Sequence, residues 1–201
     1  MVGWTSKIGA VALTLGVCTA ESALAGAGPP DIVSRDAWRA KPANTELMKP
    51  HVPREIVIHM TGVRQQRGIS LERKLRGLQG FSMRKGRIRR SPKPAWGDVP
   101  YHFYIGVSGR IGEGRDLRYA GDTNTNYNPA NRIHVVLEGD FQNERPSPAQ
   151  LASLTRLTIW LVRRYSIQPA KITGHSDHAA TTCPGKHLKA VLPSLLKAVA
   201  Q

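Results

Sequence analysis

A chain of 201 residues, 40% hydrophobic and 21% charged, carries enough apolar material for one packed domain, which excludes wholesale disorder and dependence on disulfides for a core. Its bias is in charge: Lys and Arg number 29 against 14 Asp and Glu, a formal +15 at neutral pH. The expected partner is therefore a polyanion or an anionic surface.

Residues 1–25 read as an address and 26–201 as a single domain. Lys7 gives a positive start, Ile8 to Val17 an apolar run, and Ala23-Leu24-Ala25 a small-residue cleavage site, so the mature chain is expected to begin at Gly26, exported to the periplasm or secreted. The apolar run is too short to span a bilayer as a helix. Two other readings stay open: lipidation at Cys18, which the bulky Val17 before it disfavours, and an ordinary N-terminal helix. Cleavage after Ala25 would remove Cys18 and leave Cys183 alone, calling for an intermolecular partner, a nucleophilic role or a metal.

Past a Gly28-Pro29-Pro30 linker, Ser34 to Trp38 opens the domain with Trp38 expected on its surface. Glu55-Ile56-Val57-Ile58-His59 is the pattern of a strand covered on both faces, delivering His59 at its carboxyl end. Leu71, Leu75 and Leu78 follow helical spacing. A basic insertion at about 64–98 has Arg84-Lys85-Gly86-Arg87 and Arg89-Arg90 as its densest part, and its Pro-punctuated stretch from Arg84 to Lys93 reads as a loop. Tyr101 to Val107 alternates and turns at Ser108-Gly109 into Arg110-Ile111, a hairpin, and Arg132 to Leu137 supplies a further strand. Ser147-Pro148-Ala149-Gln150 is a capping box that starts a helix with an apolar face of Leu151, Leu154, Leu157, Leu161 and Tyr165, stopped by Pro169. A strand at Lys171 to Thr173 leads to Gly174-His175, and a C-terminal helix interrupted or restarted at Pro193 follows Cys183-Pro184-Gly185. The mixture predicts an α/β domain with a central mixed β-sheet flanked by helices.

His59, His175 and Cys183 provide two imidazoles and a thiolate, the ligand count of a catalytic zinc site with its fourth position open. His175 and Cys183 are close along one segment, and His59 must come from a neighbouring strand. The spacing alone is weak, since a chain with seven histidines offers many such triples.

Five motifs occur in order: Ile56 to Thr61, Tyr101-His102-Phe103, Gly112-Glu113-Gly114-Arg115-Asp116, Gly174-His175-Ser176-Asp177 and Thr182-Cys183-Pro184-Gly185. Together they resemble the type 2 N-acetylmuramoyl-L-alanine amidases, the family that includes the peptidoglycan recognition proteins, over roughly Ile32 to Leu196. The resemblance implies zinc held by His59, His175 and Cys183, with Tyr101 catalytic and Thr181 at the position of a further catalytic Lys or Thr. It also implies hydrolysis of the amide joining N-acetylmuramic acid to L-alanine, with peptidoglycan or muropeptides as partners. Coordination lowers the pKa of water to about 7, and the resulting oxyanion needs donors that the Tyr101 phenol and the Thr181 hydroxyl can supply. The alternative is a module that binds peptidoglycan without cutting it, although non-enzymatic members tend to lack the cysteine that this chain keeps.

The departures are specific. Met60 stands where many relatives carry a second histidine, and Tyr119-Ala120-Gly121 replaces a Trp-His-Ala-Gly segment. Val136 occupies the position of a glutamate that some relatives use as base, which leaves Tyr101 the stronger candidate; Glu138, two residues on and on the same strand face, either reaches the cleft rim as a catalytic carboxylate or is a solvated or structural one. His102 and His134 read as strand packing residues, and His178 and His187 as exposed loop residues. Asp177 would either orient His175 or cap its loop. Asn124, Asn126 and Asn128 mark a turn-rich loop first and a sugar-binding edge second. The basic insertion is either a solvated excursion or an electrostatic anchor for anionic wall polymers or lipid headgroups. Nucleic acid is not the expected partner, because the basic run has no interleaved aromatics and follows an export signal. The chain is expected to act as a monomer.

Overall fold

The computed structural model describes residues 28–88 and 90–201, with Met1, so the leader and its alternatives at Cys18 lie outside the described residues. The first half of the chain forms β1 (Ile32–Val33), β2 (Glu55–Met60), α1 (Leu71–Ser82), β3 (Gly86–Ile88), β4 (Ser91–Lys93), β5 (Phe103–Ile105) and β6 (Ile111–Glu113). The second forms β7 (Arg132–Leu137), α2 (Pro148–Tyr165), β8 (Ile172–Gly174), α3 (Lys186–Lys189) and α4 (Leu192–Val199). Six strands make one sheet in the order β1-β6-β5-β7-β2-β8. All its pairings are parallel except the β5-β6 hairpin, which gives the mixed sheet and flanking helices expected of the sequence.

Strand alternation divides the sheet into two unlike faces. Ile56, Ile58 and Met60 of β2, with Phe103, Ile105, Ile133, Val135 and Leu137, pack against Leu154, Leu157 and Leu161 of α2 and Leu192 and Leu195 of α4. The alternate residues look the other way, where Tyr104 and Val136 meet Leu71 and Leu75 of α1, Trp38 and Val99. Gly112 permits this close helix: a Cβ there would lie 2.5 Å from Leu75 Cδ1. The same face carries His59 and His134 on β2 and β7, and both are buried. One face is thus a continuous apolar core, while the other is apolar under α1 and polar beyond it.

Several local expectations change. Trp38 is fully buried, its indole N–H donating to the Glu113 carbonyl at 2.7 Å. The stretch read as a loop from Arg84 to Lys93 contains the antiparallel hairpin β3-β4. Its last residue explains its place: the buried Lys93 ammonium donates to the carbonyls of Ser82, Arg84 and Pro94 and lies 4.5 Å from the Trp96 ring, holding the hairpin to the end of α1. Helix α2 starts with the predicted Ser147–Gln150 capping box but ends before Pro169, at Tyr165, where Ser166 takes the left-handed conformation that closes it. Pro193 falls in the first turn of α4, where its missing N–H costs nothing.

Candidate metal centre

Strands β2 and β8 run side by side and parallel, so their carboxyl ends open on one edge of the sheet. His59 is the penultimate residue of β2, and β8 ends at Gly174, passing straight into a short 3-10 turn that begins with His175. Cys183 arrives on the loop before α3. That loop rests on the strand end through Pro184, which a Cβ at Gly174 would approach to 3.0 Å, and Thr181 Oγ1 accepts the Cys183 N–H at 3.2 Å. Donor atoms of His59, His175 and Cys183 all lie within 4.8 Å of one another. Cys183 Sγ is 3.6 Å from His59 Nδ1 and accepts the Met60 N–H at 3.3 Å. Two imidazoles and a thiol converging from three segments fit a three-ligand zinc site chemically.

The far nitrogen of each imidazole is engaged. His59 Nε2 is 2.9 Å from His134 Nδ1, with the two rings stacked at 4.9 Å. His175 Nε2 is 2.7 Å from Thr125 Oγ1, which is itself 2.7 Å from Thr123 Oγ1. Burial holds His59 and His134 well below the usual histidine range and takes His175 down to about 4. Neighbouring imidazoles push in the same direction. All three are neutral at physiological pH, the form in which histidine binds metal. Burial pushes the Cys183 thiol up to about 12, so in the metal-free protein it keeps its proton, and metal uptake would displace it.

Two phenols border the cluster. The Tyr101 ring stands 5.2 Å from that of His59, and burial raises its hydroxyl above the usual phenol range, so it is protonated. Tyr127, which the sequence did not single out, places its ring 5.2 Å from His175, 5.7 Å from His178 and 6.3 Å from His134. Its hydroxyl is buried and has no hydrogen-bond partner among the described residues. The loop of Asn124, Asn126 and Asn128 therefore covers His175 with an aromatic ring and a threonine, a placement set by contacts across some 50 positions of chain (|i−j| = 50 for Thr125 and His175).

Other candidates settle into structural positions. Glu138 is buried and held by the fold: Oε1 accepts the Gln66 N–H at 2.8 Å, and Oε2 accepts the Val107 N–H at 3.2 Å and pairs with Lys74 at 2.8 Å. It shares a face with His134 as expected, but at that end of the sheet the face is covered by α1. Asp177 caps its loop, accepting the Gly174 N–H at 2.8 Å and pairing with Lys189. His102 is a buried connector: Nδ1 accepts the His134 N–H at 2.8 Å, and Nε2 donates to the Tyr119 carbonyl at 2.9 Å. His178 is more than a loop residue, since its Nε2 meets Thr173 Oγ1 at 2.8 Å and its ring stacks on Tyr127.

Residues 49–186 match the family model described as N-acetylmuramoyl-L-alanine amidase, and the chain belongs to that family. Peptidoglycan recognition protein 1 of Mus musculus is 31% identical over 166 residues, 81% of this chain and 86% of the mouse protein. Among solved structures, the endolysin N-acetylmuramoyl-L-alanine amidase LysCS from Clostridium intestinale superposes with TM-score 0.65 at 25% identity, covering 85% of this chain and 98% of that one. A mutant of Drosophila PGRP-LB in complex with tracheal cytotoxin has TM-score 0.65 at 26% identity, covering 81% and 93%. No helix among the described residues is long and apolar enough to cross a membrane.

Proposed function

We propose that the chain is an exported, zinc-dependent amidase that hydrolyses the bond between N-acetylmuramic acid and the L-alanine of the stem peptide. The observation that carries this is the convergence of His59, His175 and Cys183 within 4.8 Å at the carboxyl ends of β2 and β8, in a family whose model bears that activity's name. Zinc held there supplies Lewis acidity that makes water nucleophilic near neutral pH and polarises the scissile carbonyl.

The chain's own residues do the rest. Attack on the lactyl amide builds negative charge on the former carbonyl oxygen, which the Tyr101 phenol, protonated and with its ring beside His59, would meet with a hydrogen bond. The same phenol can pass a proton to the leaving amine. Thr181 spends an oxygen lone pair on the Cys183 N–H, so it fixes the ligand loop while its own O–H stays available to substrate. Tyr127 offers a further hydroxyl on the His175 side, unpaired among the described residues. Glu138 we assign to structure, holding α1 to the sheet through Lys74.

Binding without cleavage is the second reading, favoured by the recognition-protein names of relatives such as the mouse protein. The complete His-His-Cys set and the tyrosine beside it weigh against it. For either reading muropeptides are the ligand class, and Arg84, Lys85, Arg87 and Arg90, all exposed on or beside the β3-β4 hairpin, form a basic edge suited to anionic wall polymers or lipid headgroups.

Two linked measurements test the enzyme reading. Release of stem peptides from purified sacculi should stop after dialysis against a chelator and return with added zinc. Tyr101→Phe should lower kcat by about 10²–10³-fold with zinc content unchanged; undiminished turnover in this variant would remove Tyr101 from the chemistry.

A further inference from the structure

We propose that His134 and Thr125 are positioning residues that fix the tautomer and direction of the two metal-binding imidazoles, so that His59 and His175 each present Nδ1 to the ion. The inference rests on the metal reading above and extends it to residues outside the ligand set. Neutral histidine has one N–H and one lone pair. His59 Nδ1 faces Cys183 Sγ at 3.6 Å, and Nε2 faces His134 Nδ1 at 2.9 Å. A single proton lies between the latter two nitrogens, which leaves two arrangements. If His134 donates, His59 carries its proton on Nδ1, aimed at the thiol, and cannot bind metal. If His59 donates from Nε2, Nδ1 presents its lone pair toward Cys183. Metal uptake therefore selects the second arrangement, in which His134 is the acceptor and carries its own proton on Nε2.

His134 cannot swing aside. It is fully buried on β7, and its backbone N–H is bonded to His102 Nδ1, while His102 is anchored in turn to the Tyr119 carbonyl. The second ligand repeats the pattern with different chemistry. His175 Nε2 lies 2.7 Å from Thr125 Oγ1; with Nδ1 given to the ion, Nε2–H would donate to that oxygen and leave the Thr125 hydroxyl to donate to Thr123 Oγ1 at 2.7 Å. Partners of this kind on the outer nitrogen of a ligating histidine orient the ring and raise its basicity, and losing one typically weakens metal binding 10–100-fold.

The test measures zinc affinity by competition with a chromophoric chelator for the wild type and for His134→Phe, His134→Gln and Thr125→Val, with metal-free thermal unfolding as the folding control. His134→Phe keeps a planar ring without an acceptor, while His134→Gln restores an acceptor oxygen. Expected are a 10–100-fold loss for His134→Phe and for Thr125→Val and substantial recovery for His134→Gln. Long-range ¹H–¹⁵N spectra of the zinc-loaded wild type should show both ligands protonated on Nε2. Thr125→Val and these spectra decide the matter even if His134→Phe does not fold. Affinities within twofold of wild type in folded variants, or metal found on Nε2, would overturn the proposal. Wild-type protein that takes up no zinc would sink the metal reading itself, a distinguishable failure.

Discussion

Replacing Cys183 by alanine is expected to leave the protein folded, to remove its zinc and to lower peptidoglycan cleavage by at least about 10³-fold. The reasoning starts from charge. In the proposed site His59 and His175 would be neutral ligands, so the thiolate would be the ligand that offsets the charge of the ion, and two imidazoles alone would make an incomplete site. Folding should survive because the ligand loop is anchored independently of sulfur. Lys186 N–H donates to Gln142 Oε1 at 2.6 Å, His187 N–H donates to the Phe141 carbonyl at 3.1 Å, and Thr181 accepts the residue 183 N–H whatever its side chain. What the substitution costs in stability is the Met60 N–H bond to sulfur, about 1–3 kcal/mol. Zinc content by elemental analysis, beside the cleavage rate, checks both halves of the expectation. A folded Cys183→Ala protein with full zinc and full activity would contradict it.

The metal-free protein is also expected to lose its cooperative fold as the pH falls from 6.5 toward 4.5. His59, His102 and His134 are buried in one group of touching rings, His59 and His134 stacked at 4.9 Å and His102 and His134 at 5.7 Å. Burial, the largest cause for each, depresses all three, His102 to about 3. The sign follows from which state binds the proton. Below 6.5 the unfolded chain protonates these rings and the folded chain does not, so stability falls by about 1.4 kcal/mol per pH unit for each ring that stays neutral. For His102 alone that is about 2 kcal/mol at pH 5. His59 and His134 act in the same direction, against a total of roughly 5–15 kcal/mol for an ordinary domain. The loss should be complete near the folded-state values and absent above 6.5. Urea midpoints across this range, with and without zinc, measure it. Zinc should protect, because it binds only the neutral folded form. A midpoint that does not move between pH 7 and pH 5 in chelator would show that these rings are not held neutral.

The candidate metal residues are legible in the sequence because each sits where a strong local signal ends: His59 closes a β-branched run, His175 follows a glycine after a short strand, and Cys183 precedes Pro-Gly. Their convergence is expected from the family resemblance but not from local pattern, since it depends on β2 and β8 being neighbours despite more than a hundred intervening residues. Trp38 was misplaced for the same reason, its hydrogen-bond partner Glu113 lying 75 residues away. The β3-β4 hairpin escaped because its side chains, Lys93 apart, are largely solvent-facing and carry no apolar alternation. Glu138 was aimed correctly by alternation, yet alternation is blind to what covers a face, and there Lys74 of α1 meets it. Tyr127 and Thr125 gave no signal because the loop that holds them has no periodicity, and only its closure over His175 makes them part of the site.

In the proposed function, the clustered His59, His175 and Cys183 serve hydrolysis of one particular bond. Mass spectrometry of peptidoglycan digested with zinc-loaded protein tests it most directly. Expected are stem peptides with a free L-alanine amino terminus together with glycan chains bearing unsubstituted lactyl groups, both absent with chelator. Intact muropeptides after digestion by zinc-replete protein, or products cut at a sugar or peptide bond instead, would contradict it.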